Sequence, residues 1–268
     1  MLGDGIRLAV GTLTALPIQP PRRVDRNVAG RAMVIAPLAV LPLGVLVGFI
    51  CWAGWELNLT SFAVAAVAIG APAMGSRALH LDGLADTADG LTASYDRERS
   101  LTVMKSGNTG PAGVAILVIV LAIQISSLSA ILIRPHSWLL AGVLVCASRA
   151  ALALTCMDGI PPAREDGLGV TYTQTVPRFI AAAVWIAVAA IVSATFEISD
   201  MPWWHGALGV GAAAVVVGAL IRRSVKRFGG VTGDTFGAAI ELALAVMLLA
   251  ATASPIVIVG YSGSFSPL

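Results

Sequence analysis

Seven apolar runs divide the chain, separated by short polar or proline-bearing segments. They fall at about 32–55, 61–76, 111–133, 137–157, 179–198, 203–221 and 238–260. Most approach the roughly 20 residues that a helix needs to cross a bilayer. Pro37 and Pro42 lie inside the first run and predict a kink there, which membrane helices tolerate. A shorter apolar piece, Ile6 to Pro17, is below spanning length and predicts an interfacial or re-entrant helix. The pattern predicts an all-α, polytopic transmembrane bundle of about seven spanning helices plus a short N-terminal interfacial helix. It reads as one integral membrane domain over 1–268, with polar segments at 77–110, 158–178 and 222–237. The tail, Tyr261 to Leu268, is uncharged and expected to fray.

Composition sharpens this reading. Of 268 residues, 57% are hydrophobic and only 12% charged, and the mean hydropathy is +0.86. A soluble domain carries about 25% charge, so the chain is read as a membrane protein. Cys51, Cys146 and Cys156 lie in apolar runs without metal-ligand spacing and read as small buried hydrophobes. Met1 to Pro17 lacks a basic leading segment and a small-residue cleavage site, so no cleavable signal peptide is expected. Nothing in the chain points to nucleic acid, and a homo-oligomer is compatible with it.

Charge then sets the orientation. With seven spans, one side collects Arg22, Arg23, Arg26, Arg31, Arg77, Arg97, Arg99, Lys105, Arg164, Arg178, Arg222, Arg223, Lys226 and Arg227. The other collects only Arg134. Lys and Arg are retained on the cytoplasmic side. The three long polar segments therefore face the cytoplasm of a multi-pass cell-membrane protein, and function is expected there.

The densest chemistry lies in His80-Leu81-Asp82-Gly83-Leu84-Ala85-Asp86-Thr87-Ala88-Asp89-Gly90. Asp82, Asp86 and Asp89 are spaced i, i+4, i+7. At 100° per residue on a helix, Asp86 lies about 40° from Asp82, and Asp89 about 20° to the other side. Carboxylates crowded on one face repel unless a cation neutralises them. Oxygen ligands of this kind suit Mg²⁺, which leaves positions for water and substrate phosphate. The plainer alternative is a solvated acidic turn between helices.

A second candidate is Gly229-Gly230-Val231-Thr232-Gly233-Asp234-Thr235-Phe236-Gly237, followed by Glu241. Its glycines and hydroxyls before a span suit phosphate, while Asp234 also reads as a helix N-cap. Glu241 and Arg149 are intramembrane charges, read either as a structural pair or as functional groups. Arg149, Lys105 and Arg164 are candidate phosphate contacts, together with Thr232 and Gly233. His80 is either a hydrogen-bonded helix-end residue or a catalytic one.

These motifs resemble the cobalamin synthase family, the adenosylcobinamide-GDP ribazoletransferases. The resemblance rests on His80 to Leu91, on Arg97 to Lys105 with Gly110 and Gly113, on Arg164 to Gly169, and on Gly229 to Gly237 with Glu241. One departure is Ser106-Gly107-Asn108, where many members carry an acidic residue after the Met-Lys pair. The resemblance implies a Mg²⁺-dependent, multi-pass enzyme joining adenosylcobinamide-GDP to α-ribazole, or to its 5′-phosphate, with release of GMP. On that reading Asp82, Asp86 and Asp89 hold Mg²⁺ on the pyrophosphate, and Asp234 assists them. Asp82, Asp234 or His80 takes the hydroxyl proton. Competing readings are a membrane prenyltransferase, a CDP-alcohol phosphotransferase-like enzyme, and a transporter. The second motif carries one Asp, the Asp-Gly-x-x-Ala-Arg run is missing, and no internal repeat is evident. Each of these counts against one alternative.

Overall fold

The computed structural model describes residues 2–253. Among them the regular structure is helical, and β-type pairing is confined to isolated bridges. Each of the seven apolar runs is mostly helical where described, with breaks inside the first and the fourth. The predicted end of the last run, residues 254–260, and the tail at 261–268 lie outside the described residues.

Helix α1 (Leu2–Leu13) stops before the proline expected to end it. Gly5, Ala9 and Leu13 form its buried stripe at helical spacing. The first predicted span breaks into α2 (Arg26–Val34), α3 (Ala36–Ala39) and α4 (Leu41–Glu56). Pro37 and Pro42 each sit at the start of the new piece, where a missing N–H costs nothing. The kink is thus two breaks, and α4 is a short apolar helix.

Helix α5 (Ser61–Gly75) ends at a bend of 89°, from which α6 (Leu79–Ala93) sets off. Arg77 and Ala78, both at positive φ, make the corner. Helix α6 therefore leaves the direction of α5, and the two form a bent pair of which neither helix alone is of spanning length. Segment 77–110 is more ordered than a loop, because α7 (Arg97–Lys105) follows with Asp96 as its N-cap.

Among the described residues, five helical stretches are each long and apolar enough to cross a membrane. They are α8 (Pro111–Ile131), α9 with α10 (Ser137–Ser148 and Ala151–Thr155), α12 (Arg178–Ile198), α13 (Trp203–Phe228) and α14 (Gly233–Thr252). Between them lies the short α11 (Leu168–Tyr172). The basic run Arg222 to Phe228, expected in a loop, forms the last turns of α13. Lys226 and Arg227 complement the negative end of its dipole. The glycine-rich connector accordingly shrinks to residues 229–232.

Large apolar side chains cover the outside of the bundle. Phe49, Phe62, Val118, Phe179, Ile186 and Val215 are each more than half exposed. Such a surface belongs in lipid.

The two ends differ. At one, Arg134 and His136 reach Asp200 and Ile198 carbonyls, beside exposed Trp203 and Trp204. At the other, Arg26 bonds the Gln174 carbonyl, Arg77 that of Gly11 and Arg97 that of Ala163. The basic connectors thus gather at one end, as the charge pattern required.

Candidate active site

The site forms where α6 crosses the start of α14. The crossing is close because two glycines meet it. A Cβ on Gly83 would lie 2.6 Å from the Asp234 carbonyl oxygen, and one on Gly237 would lie 2.9 Å from the Cα of His80. No larger residue lets these backbones approach so nearly. The two motifs, about 150 residues apart, become one surface.

Helix α14 starts at Gly233, ahead of the apolar run. Thr232 is its N-cap, in a reciprocal capping box with Thr235. Asp234, read as a possible cap from sequence, is instead in the first turn, and its Oδ2 accepts from the Thr232 hydroxyl at 3.2 Å.

Asp82, Asp86 and Asp89 all lie on α6, as their spacing required, but in different surroundings. Asp82 is exposed, Asp86 half-buried and Asp89 buried. Burial, reinforced by the charges of Asp82, Asp234 and Asp89 and opposed by Arg164, pushes the Asp86 carboxyl up to about 6. Asp89 has structural work: its oxygens accept the Gly110 N–H at 2.6 Å and the Gly113 N–H at 2.9 Å. It therefore caps the otherwise unpaired amides that open α8. Among the described residues, no three His, Cys, Asp or Glu side chains already converge on one ion position.

The loop before α11 closes the other side. Ala163 donates its N–H to the Val231 carbonyl at 2.9 Å, and Val231 donates to that of Pro161 at 3.0 Å. This strap holds Arg164 beside the glycine-rich connector. Arg164 donates to the Leu101 carbonyl at 2.9 Å, while its buried Nε has no partner. A cavity of about 120 Å³ lies here, lined by Arg164, Asp166, Gly167, Thr232, Gly233 and Asp234. Lys105 pairs with one of these lining residues, its Nζ 2.9 Å from Asp166 Oδ2. That ammonium holds the exposed Asp166 carboxyl below the usual range. Arg164, Lys105, Thr232, Gly233 and Asp234 are thus brought together.

A second cavity, about 130 Å³, opens on the other side of Asp234. Its walls are mainly apolar, with Asp82 and His80 among its lining. Asp234, Gly233 and Leu168 line both cavities.

Arg149 is not part of this surface. It is 1% exposed at the break between α9 and α10, with Nη1 donating to the Val145 carbonyl and the Ser148 hydroxyl. Its Nε has no hydrogen-bond partner. Glu241, one of its electrostatic partners, accepts from Gln124 Nε2 at 2.9 Å and lies 3.9 Å from His80 Nδ1. No direct Arg149–Glu241 contact occurs among the described ion pairs. Sequence reading missed Gln124, although a lone amide within an apolar run is itself a signal. It also missed the apolar cavity, whose walls look like ordinary core.

Fold and site define a polytopic helical membrane protein with an acidic, arginine-bearing site at its basic end. The family model described as cobalamin-5-phosphate synthase matches residues 5–252, and the chain belongs to that family. It is 51% identical over 247 residues to an adenosylcobinamide-GDP ribazoletransferase of Nocardioides sp., covering 92% of this chain and 97% of that protein. A relative of the same name from Frankia casuarinae is 36% identical, with 91% and 92% covered. One from Pseudomonas entomophila is 34% identical, with 88% and 93% covered. No solved structure matches the chain.

Proposed function

We infer that this protein is a membrane transferase of cobalamin assembly, joining adenosylcobinamide-GDP to ribazole or its 5′-phosphate and releasing GMP. Membership of the family and relatives named for this reaction support the assignment. The observation that carries the local reading is Asp234, which lines a charged cavity and an apolar one at once. A reaction that joins two dissimilar substrates needs such a junction.

In the transfer, a ribose-side oxygen bonds to the phosphorus bearing the cobinamide arm. The bond from that phosphorus to the bridging oxygen breaks, and GMP leaves with the electron pair. Alignment and neutralisation of charge dominate such chemistry. Arg164, with the amides and hydroxyl of Thr232 and Gly233, binds diphosphate oxygens, and Lys105, paired with Asp166, adds charge. Asp234 accepts the proton of the attacking hydroxyl.

Mg²⁺ fits the donor set, because carboxylate oxygens are its ligands and the Asp86 carboxyl, raised first by burial, also feels the negative charges of Asp82, Asp234 and Asp89. Asp82 and Asp86 would hold it, with Asp89 kept as a helix cap. When bound, it supplies charge neutralisation on the diphosphate. The Lys and Arg distribution supports a site at the cytoplasmic face of the cell membrane.

Purified protein given adenosylcobinamide-GDP and α-ribazole, with and without Mg²⁺, tests the reading through GMP release. Asp82→Asn and Asp86→Asn should each lose most turnover. Wild-type rates in both would remove the metal site, and no GMP from the wild type would remove the reaction.

A further inference from the structure

The apolar cavity beside Asp234 has no Lys or Arg in its lining to attract a diphosphate. Leu13 of α1, Met33 of α2, Leu152 of α10, Tyr172 of α11, and Phe236 and Ile240 of α14 form its walls. Five separate stretches of chain thus build one small chamber. The Tyr172 and Phe236 rings meet edge to face with centroids 6.5 Å apart. The one phenol among the walls is already engaged, with its hydroxyl 3.1 Å from Thr12 Oγ1. Carboxylates stand only at the end shared with the reacting site, through Asp82 and Asp234. The volume, about 130 Å³, is just below the roughly 150 Å³ of a Leu/Ile/Phe-lined cavity that takes benzene, so it fits one six-membered ring, and the rest of a fused base lies at the mouth beside Leu79, which is 48% exposed.

We propose that this chamber takes the aromatic base of the incoming nucleoside, so that its walls set which lower base is joined. The proposal rests on the transfer reaction inferred above and adds the place and residues of base recognition. A flat ring system with a hydrocarbon outer edge suits these apolar walls, and His80 in the lining carries a buried Nδ1 without a hydrogen-bond partner. With the base held there, the sugar projects towards Asp82 and Asp234. The diphosphate occupies the Arg164 cavity, across Gly233 and Asp234, so the chain at 232–234 separates the two substrates. Leu168, which lines both cavities and is half exposed, closes the junction from the α11 side.

Leu13→Phe fills the chamber from α1, and Leu79→Trp narrows it from a rim position that is 48% exposed and tolerant of change. In both variants the KM for α-ribazole should rise by about tenfold or more, while the KM for adenosylcobinamide-GDP stays put. The unsubstituted benzimidazole riboside should be affected less than the dimethylated one. An unchanged nucleoside KM in both, or a rise confined to the GDP substrate, overturns the proposal. Direct binding separates its fate from that of the reaction. The wild type should bind free 5,6-dimethylbenzimidazole, read by the fluorescence of the base, and both variants should bind it at least about tenfold more weakly. If the wild type releases no GMP, the inferred reaction fails and this arm alone decides. Base binding that both variants retain would overturn the chamber assignment.

Discussion

Gly83 and Asp234 meet backbone to backbone. A methyl group on Gly83 would sit 2.6 Å from the Asp234 carbonyl oxygen and 2.9 Å from its Cα. The acidic helix and the last membrane helix are therefore held at a separation that only glycine permits. Replacing glycine by alanine inside a helix ordinarily gains about 0.5–1 kcal/mol. Here the added methyl meets backbone, which cannot swing aside, and overpacking of this kind costs about 1–3 kcal/mol. Gly83→Ala should lower the midpoint of thermal unfolding in detergent and sharply reduce turnover, since it moves Asp82 and Asp86 away from Asp234. Gly211→Ala on α13, with nothing within 4 Å of the new methyl, is the control and should be neutral or slightly stabilising.

Asp89 differs from its two neighbours in the acidic run. Both of its oxygens accept backbone amides at the start of α8. Asp89→Ala leaves buried N–H groups without partners and should cost about 1–3 kcal/mol. The Mg²⁺ concentration giving half-maximal turnover should not change. Asp86→Asn should do the opposite, shifting the Mg²⁺ response while leaving the protein folded. A Mg²⁺ titration of both variants separates the roles, and a shifted response in Asp89→Ala would return that residue to the metal site.

The contrast shows what a sequence displays and what it hides. Periodicity along residues 82–89 was enough to place three carboxylates on one helix, and the Lys and Arg distribution was enough to gather the connectors at one end. Spacing carries no information about what each carboxylate faces. Asp89 is spent on amides 21 and 24 residues later in the chain, a pairing set by how α6 packs on α8. The start of α14 was legible in principle, since Thr232 and Thr235 form a capping box, but apolar counting placed the helix edge at Ala238. Arg149 reads from sequence either as a structural partner of Glu241 or as a contact for an anionic substrate, since an intramembrane charge is costly. The structure gives it the Val145 carbonyl, the Ser148 hydroxyl and the field of Glu241.

Asp86 also makes a prediction about pH. Its carboxyl sits near 6 in the folded protein, against an ordinary value of 3.8. A raised carboxylate means that the folded state holds its proton more tightly than the unfolded chain does. Without metal, Asp86 therefore weakens the fold at neutral pH, and the penalty fades as pH falls through about 6 towards 3.8. Metal-free protein should gain thermal stability between pH 7 and pH 5 from this group, and Asp86→Asn should remove that gain. Added Mg²⁺ competes with the proton, so it should stabilise the wild type more at pH 7.5 than at pH 5.5. Unfolding curves with Mg²⁺ and with EDTA at the two pH values provide the check. Equal metal stabilisation at both would separate Asp86 from the ion.

Arg164 is the cation placed to bind the diphosphate of the GDP substrate. One end of its guanidinium is fixed to the Leu101 carbonyl, and the buried Nε has no hydrogen-bond partner. Its charge also opposes the acidic cluster, since it acts on both Asp86 and Asp234. Arg164→Gln removes a donor aimed at developing phosphate charge, a loss that typically costs about 10²–10³ in rate. Turnover should fall by that order, and the KM for the GDP substrate should rise while that for ribazole changes little. Arg164→Lys should recover little of the loss, because a lone ammonium does not reproduce two fixed N–H directions. Lys105 supplies the comparison. Its contact with Asp166 is exposed on both sides, and pairs of that kind contribute about 0–1 kcal/mol. Lys105→Ala should leave stability nearly unchanged and affect the KM for the GDP substrate chiefly at low salt. Steady-state kinetics with each substrate varied at two ionic strengths would distinguish the two cations. Equal effects of Arg164→Gln and Lys105→Ala would mean that the guanidinium contributes only net charge.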